Sequence, residues 1–234
     1  MELNWPDCLN VRDLGGLPAG DDGRIVPGAL IRSDNLSRLT EGGVEAVRSA
    51  GVSRIVDVRT PVECEWDPSP FATDPICRNR PLANADDPYD PTLSIEEQYI
   101  QMVEQNPSLF AAAVGAIADA PAGAVVVHCH AGKDRSGSVV ALALSLVGVP
   151  PEEVAADYAI LTDRMRDHFA GQLGEVEDPT ERRHLAESFT ARPDTMLALL
   201  DHLDRTYGGA ERYLKQGGLT NDQATRLRAR LVSG

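Results

Sequence analysis

No two cysteines of this chain stand in a C-x-x-C arrangement; Cys8, Cys64, Cys77 and Cys129 are scattered through 234 residues. A chain of this length buries a core without disulfide staples, so reduced thiols are expected, with a Cys64–Cys77 bridge the one pairing left open. The N-terminus, Met1-Glu-Leu-Asn-Trp-Pro-Asp7, lacks a basic stretch followed by an apolar one, which argues against a signal peptide. The longest apolar run, Val139 to Val149, is interrupted by Ser145 and Gly148 and is too short to cross a bilayer. Positive charge is also scarce. Lys and Arg number 22 against 36 Asp and Glu, a formal charge of −14, and the pI is about 4.7. That balance argues against nucleic acid and against adsorption to anionic membranes. No cluster of His, Cys and acidic residues has metal-ligand spacing, so neither metal nor cofactor is expected. There is no internal repeat and no low-complexity tract. These absences lead to the expectation of a soluble, cytoplasmic protein in one domain, residues 1–234, with no stable membrane insertion.

What is present is concentrated in one stretch, Val125-Val-Val-His-Cys-His-Ala-Gly-Lys-Asp-Arg-Ser-Gly137. It reads as a buried strand, a tight loop and then an apolar helix from about Ser136. Cys129 and Arg135 stand in a Cys-x5-Arg arrangement, followed at once by the hydroxyl of Ser136. A loop of this kind points backbone N–H groups inward, and the helix N-terminus behind it adds partial positive charge, so the spacing suits phosphate. Cys129 at its mouth is a candidate nucleophile, because the thiolate is the reactive species. Arg135 offers a planar fork for two phosphate oxygens. His130, Ala131, Gly132, Lys133 and Ser136 complete the candidate phosphate-binding set. The acidity of the whole chain then requires the positive field to be local, from His128, His130, Lys133 and Arg135.

The remainder reads as an α/β fold. Short strands are expected at Arg24–Val26 and Ala29–Arg32, and Arg12-Asp13 reads as a buried salt-bridged anchor. Thr40 caps a helix carrying Val44 and Val47, and Ser53 to Val58 reads as a buried strand. Residues 61–91 are rich in Pro and Asp, with Trp66-Asp-Pro68 read as a turn and a strand within Ile76 to Leu82. Helices are expected over Ser94–Gln105 and Pro107–Ala120, the second capped by Asn106, and from Pro151 to about Leu161. Residues 163–192 are charged, with thin apolar spacing around Phe169, Leu173, Leu185 and Phe189. They read either as a helical lid or insertion near the site or as a surface hairpin. The C-terminal helices are core, with Thr220-Asn-Asp-Gln223 as a capping box.

His128-Cys-His-Ala-Gly-Lys-Asp-Arg-Ser-Gly137 resembles the H-C-x-A-G-K-D-R-[ST]-G loop of a bacterial branch of the cysteine-based protein-tyrosine phosphatases. Asn10-Val-Arg-Asp-Leu-Gly-Gly16, Gly28-Ala-Leu-Ile-Arg-Ser33, Leu36-Ser-Arg-Leu-Thr40 and Asp57-Val-Arg59 resemble that family's N-terminal pattern in order. Tyr213-Leu214 and Gly218-Leu-Thr220 resemble its C-terminal end. The resemblance implies a mostly parallel central sheet flanked by helices, with the loop at the carboxyl end of a central strand and, in some members, a helical lid. It also implies hydrolysis of phosphotyrosine, with phosphoserine, phosphothreonine and phosphoinositides as further substrates.

In such a reaction Cys129 attacks phosphorus in line with the departing oxygen and water hydrolyses the phosphocysteine, while Arg135 stabilises the equatorial oxygens. The leaving oxygen needs a proton, and the resemblance assigns that role to Asp134. A carboxylate beside a phosphate dianion is repelled, and the same repulsion favours its protonated, donating form. Two other arrangements remain: Asp134 turned outward to pair with Lys133, or an acid drawn from Asp86, Asp87 and Asp90. Readings from other classes are a rhodanese-type sulfurtransferase and a non-catalytic phosphate-binding module. Asp134→Asn is expected to depress turnover of substrates with poor leaving groups and to flatten the acid–base limb of the pH–rate profile. An unchanged profile would move the role to Asp86, Asp87 or Asp90.

Overall fold

The computed structural model describes residues 3–84, 90 and 92–233. In chain order the strands are β1 (Arg12–Asp13), β2 (Pro18–Ala19), β3 (Gly23–Ile25), β4 (Leu30–Ser33), β5 (Val52–Asp57), β6 (Cys77–Asn79), β7 (Ala124–His128) and β8 (Val232–Ser233). The helices are α1 (Glu41–Ser49), α2 (Pro61–Trp66), α3 (Ile95–Gln105), α4 (Pro107–Ala118), α5 (Asp134–Leu146) and α6 (Pro151–Arg164). They continue with α7 (Arg166–Glu175), α8 (Pro179–Phe189), α9 (Pro193–Tyr207), α10 (Ala210–Gln216) and α11 (Asn221–Leu231).

Five strands form the main sheet in the order β1-β4-β7-β5-β6, parallel except for the edge strand β1. Strand β7 lies at its centre, and its sequence explains why. Side chains alternate across a strand, and here both faces are apolar: Val125 and Val127 enter one core, Ala124 and Val126 the other. The larger core lies between the sheet and the helices α3 to α6 and α9 to α11. The smaller one is closed by Leu36, Leu39 and Val47 together with Phe71. A second, three-stranded sheet joins β2 and β3 to β8, tying the two ends of the chain together. Among the described residues no helix is long and apolar enough to cross a membrane.

Several expectations are adjusted by the coordinates. The apolar helix after the loop begins at Asp134 and not Ser136, so Asp134 and Arg135 belong to its first turn. Residues 61–66, for which no helix was expected, form α2; Thr60 caps it reciprocally with Glu63, and Pro61 occupies a first-turn position where its missing N–H costs nothing. Asp67 of the Trp-Asp-Pro run ends that helix, and its carboxylate accepts a hydrogen bond from Asn35. Asn106 precedes α4 as expected, but its side chain makes no capping bond and donates to Met102 O instead. All four cysteines are free thiols, so the Cys64–Cys77 bridge is not formed.

The Arg12-Asp13 pair is the buried, salt-bridged anchor expected, with partners elsewhere in the chain. Arg12 does not pair with Asp13, whose carboxylate accepts from the N–H groups of Gly15 and Gly28. Arg12 instead reaches Asp157 of α6, Nε to Oδ1 2.5 Å, and Arg32 of β4 reaches the other carboxylate oxygen at 2.8 Å. Arg32 is 1% exposed. Burial alone would raise the pKa of Asp157, but the two guanidinium groups hold it below the ordinary carboxylate range. Leaving one such charge buried and unpaired costs about 3–5 kcal/mol, so the three side chains stand or fall together.

Candidate active site

The loop leaves β7 at its carboxyl end, next to the ends of β4 and β5. Its shape is set from behind. Arg32 Nε donates to Gly132 O at 2.8 Å and Nη2 donates to Lys133 O at 3.0 Å. Asn10 Nδ2 donates to Ala131 O at 3.1 Å. Gly132 has φ +70°, and a Cβ there would lie 2.5 Å from Ser33 O, so only glycine fits the bend. The loop carbonyls are thereby drawn toward the protein. None of the backbone N–H groups from His130 to Arg135 donates to another described residue, and they stand at the N-terminus of α5. A run of unpaired amides at a helix N-terminus is an anion cradle.

Cys129 is buried at the base of this loop. His128, directly before it, is fully buried; its Nδ1 lies 3.3 Å from Cys129 O and its Nε2 lies 3.6 Å from Asp57 Oδ2. Burial pushes the imidazole pKa down, so His128 is neutral near pH 7. The charge facing Asp57 comes from Arg59, 2.7 Å away. The Asp57-Val-Arg59 motif therefore braces the strand end beneath the loop. Ser136 Oγ is buried and has no hydrogen-bond partner among the described residues.

A cavity of about 1370 Å³ opens above the loop. Cys129, His130, Ala131, Lys133, Asp134 and Arg135 line its floor. Gly132 and Ser136 lie behind this floor, in the loop backbone and the first turn of α5. Residues of α3, including Ile95, Tyr99 and Met102, form one wall. The opposite wall is built by α7 and α8, with His168, Phe169, Leu185 and Phe189. Phe169 and Phe189 stack with ring centroids 4.1 Å apart, which joins the two helices of the charged segment. Asp90 does not reach this cavity; its carboxylate accepts from the N–H and hydroxyl of Thr92. Asp86 and Asp87 lie outside the described residues.

Two groups converge on Asp134 Oδ1, Tyr99 Oη at 2.5 Å and Lys133 Nζ at 3.0 Å, and behind Tyr99 the Tyr158 hydroxyl lies 2.7 Å from the Tyr99 hydroxyl. Asp134 is exposed, with 51% of its side-chain surface open, and it lines the cavity. Burial favours its neutral form, but Lys133 and Tyr99 outweigh that and hold the pKa below the ordinary carboxylate range. Lys133 is not at the rim. It is 3% exposed, pairs with Asp134 and donates to Ser188 O of α8 at 2.7 Å. Burial opposes its charge, and Asp134 more than reverses that.

Arg135 meets a partner that no reading of the loop anticipated. Nη1 and Nη2 donate to the two carboxylate oxygens of Glu63 at 2.5 and 2.8 Å. Glu63 is drawn into place by its second duty as the acidic member of the α2 capping box. Burial would raise its pKa, but Arg135 and Thr60 bring it down to about 2. The sequence signal was Thr60-Pro-Val-Glu63, a capping box whose other partner lies 72 residues away. Tyr99, Arg32 and Asp157 were also missed; for Arg32 and Asp157 the hint was charge at buried positions of their elements, and Tyr99 gave none.

A strand–cradle–helix unit with this nucleophile spacing, set centrally in a parallel sheet, is the mark of the cysteine-based phosphatases. Residues 3–233 match the model of the tyrosine phosphatase family, and the chain belongs to that family. A tyrosine-protein phosphatase of Nostoc commune is 30% identical over 227 residues, covering 87% of this chain and 74% of the relative. The triple specificity protein phosphatase PtpB of Mycobacterium tuberculosis is 26% identical over 273 residues, covering 97% of this chain and 98% of the relative. The protein is therefore a phosphatase, an enzyme acting on phosphorylated substrates, and the sulfurtransferase and binding-module readings fall away.

Glu63→Gln keeps a residue able to complete the α2 cap while removing the two-pronged charge pair with Arg135. Because small misplacements of a positioned group can cost about 100-fold, kcat/KM is expected to fall by roughly 10- to 100-fold, with helix content unchanged. Steady-state kinetics with an aryl phosphate, beside circular dichroism, tests this; an unaltered kcat/KM would sink it.

Proposed function

We propose that Cys129 is the nucleophile of a two-step phosphate monoester hydrolysis, with Arg135 binding the equatorial oxygens and Asp134 protonating the leaving oxygen. The observation that carries this reading is the set of unpaired amides from His130 to Arg135, arranged over a buried thiol at a helix N-terminus. The thiolate attacks phosphorus, the ester oxygen departs with the proton from Asp134, and phosphocysteine forms. In the second step Asp134, now ionised, takes a proton from the attacking water, and the thiolate leaves. The buried hydroxyl of Ser136 stands ready to donate to that thiolate, and the main-chain groups of Ala131 and Gly132 belong to the cradle.

Asp134 is held ionised by Lys133 and Tyr99 while no anion is bound. A phosphate dianion entering the cradle opposes that bias, since like charges at contact raise a carboxylate pKa. Substrate arrival thus loads the acid. Lys133 acts on this balance and on the wall of the cavity, and less on the phosphate itself. His130 contacts the substrate at the rim.

Cavity volume and lining support a broad substrate class. A wide cavity with aliphatic and aromatic walls accepts the ring of phosphotyrosine, and it also admits shorter phosphoserine and phosphothreonine side chains and a phosphoinositide headgroup. The relative named for triple specificity supports this breadth. Residues 163–192 serve as a lid, tethered through Lys133 to Ser188 O and through Ala191 N to Thr162 Oγ1.

Phosphate release from a panel of phosphopeptides and phosphoinositides, with Cys129→Ser as the blank, is the deciding experiment. Turnover of phosphotyrosine peptides is expected in the wild type and none in Cys129→Ser; activity surviving in the variant would refute the mechanism. For the lid, hydrogen exchange should slow across 166–189 when vanadate occupies the loop. Equal exchange with and without vanadate would leave the segment a surface hairpin.

A further inference from the structure

Away from the catalytic cavity, the outer edge of the main sheet gathers arginines that the phosphatase reaction does not use. Val56 of β5 is paired with Arg78 of β6, and side chains two apart share a face. Arg54, Arg78 and Arg80 therefore project on one side of the sheet edge. They line a cavity of about 300 Å³, at the small end of the range for ligand sites. Its floor is the small-residue side of α4, Ala112, Gly115 and Ala116. None of its lining residues lines the Cys129 cavity.

The charge in this cavity is not balanced within the described protein. Arg54 Nη1 lies 3.4 Å from the carbonyl oxygens of Pro75 and Ile76. Arg78 Nη1 donates to Pro75 O and Cys77 O at 2.7 and 2.8 Å, and Arg80 Nη1 donates to Asn79 O at 2.9 Å. The cavity has one carboxylate, Asp119, and that group is already engaged by Arg226 at 2.6 Å and by Gln223 Nε2 at 2.8 Å. Burial and the repulsion of Arg78 and Arg80 together push the Arg54 pKa down. Arg54 also repels Arg230, whose buried Nε has no partner among the described residues. Such a concentration of like charge, in a chain of net charge −14, is destabilising until an anion enters.

We propose that this cavity is a second anion-binding site, separate from the Cys129 loop, for a compact polyanion carrying two or more phosphate groups. Three planar guanidinium groups match phosphate oxygens, and each offers paired donors. The small volume selects a headgroup-sized ligand. Long polyanions such as nucleic acid are repelled by the acidic remainder of the surface. Charge on an edge strand also blocks unwanted strand pairing, which would account for exposed Arg78. It does not account for Arg54, half-buried and turned into the cavity.

Calorimetric titration of the full chain with inositol hexakisphosphate, in saturating vanadate to fill the Cys129 loop, tests the site. One bound molecule per chain is expected. Arg78→Gln/Arg80→Gln should weaken it by roughly tenfold or more, as for loss of charge-assisted contacts. The same variant should keep its thermal midpoint and its kcat/KM for p-nitrophenyl phosphate. No binding in vanadate, or equal affinity in the variant, would overturn the proposal and leave the arginines as guards of an edge strand. A second arm uses vesicles of phosphatidylcholine with or without phosphatidylinositol bisphosphate. Arg78/Arg80-dependent vesicle binding identifies a lipid headgroup as the source; soluble binding without vesicle binding identifies a free polyphosphate.

Discussion

A single carboxylate, buried on α6, sets the shape of the phosphate loop. Asp157 holds Arg12 and Arg32 in place, and Arg32 in turn draws in the carbonyls of Gly132 and Lys133. With the carbonyls pulled toward the protein, the loop N–H groups are left for an anion. The arrangement is costly to assemble, since three charges leave water, and each is retained only because the others are present. It is also rigid: Arg32 is packed against the Tyr158 ring, 5.7 Å from its centroid. The same tyrosine touches Tyr99, and Tyr99 touches Asp134. One buried network thus reaches both the cradle and the proposed acid.

The second organising feature is that the cations in and beneath the loop are each met by a carboxylate. Arg135 is matched by Glu63, Lys133 by Asp134 and Arg59 by Asp57. These pairs let a chain of net charge −14 hold guanidinium and ammonium groups in fixed places around an anion site. They also make the site responsive. Lys133, one of only two lysines in the chain, touches the proposed acid on one side and α8 on the other, so the position of α8 and the charge on Asp134 are physically linked.

Much of this was readable without coordinates, and the reason lies in sequence distance. Cys129, Gly132, Lys133, Asp134 and Arg135 are neighbours in the chain, so their spacing alone specifies a strand, a bend and a helix N-terminus. Strand β7 announced itself through β-branched residues on both faces, and the Thr220–Gln223 box announced α11. Helix α2 went unread because its Pro and acidic residues resemble a turn. Yet Thr60 and Glu63 satisfy the local rule for a helix start.

The sequence by itself determined the class of chemistry, because the proposed nucleophile, the cradle and the arginine lie on one continuous segment whose geometry is local. It also determined the α/β layering, through periodicities of two and of about 3.6 residues. Only the tertiary structure decided which groups control those reactive residues. Glu63 reaches Arg135 across 72 residues, Tyr99 reaches Asp134 across 35, and Asp157 reaches Arg32 across 125. Such pairings depend on how strands and helices stack, and no spacing within a single segment encodes them. The acidic composition could exclude partners and the loop's own residues showed one place where positive charge gathers, but the second, along the β6 edge, was set by folding alone.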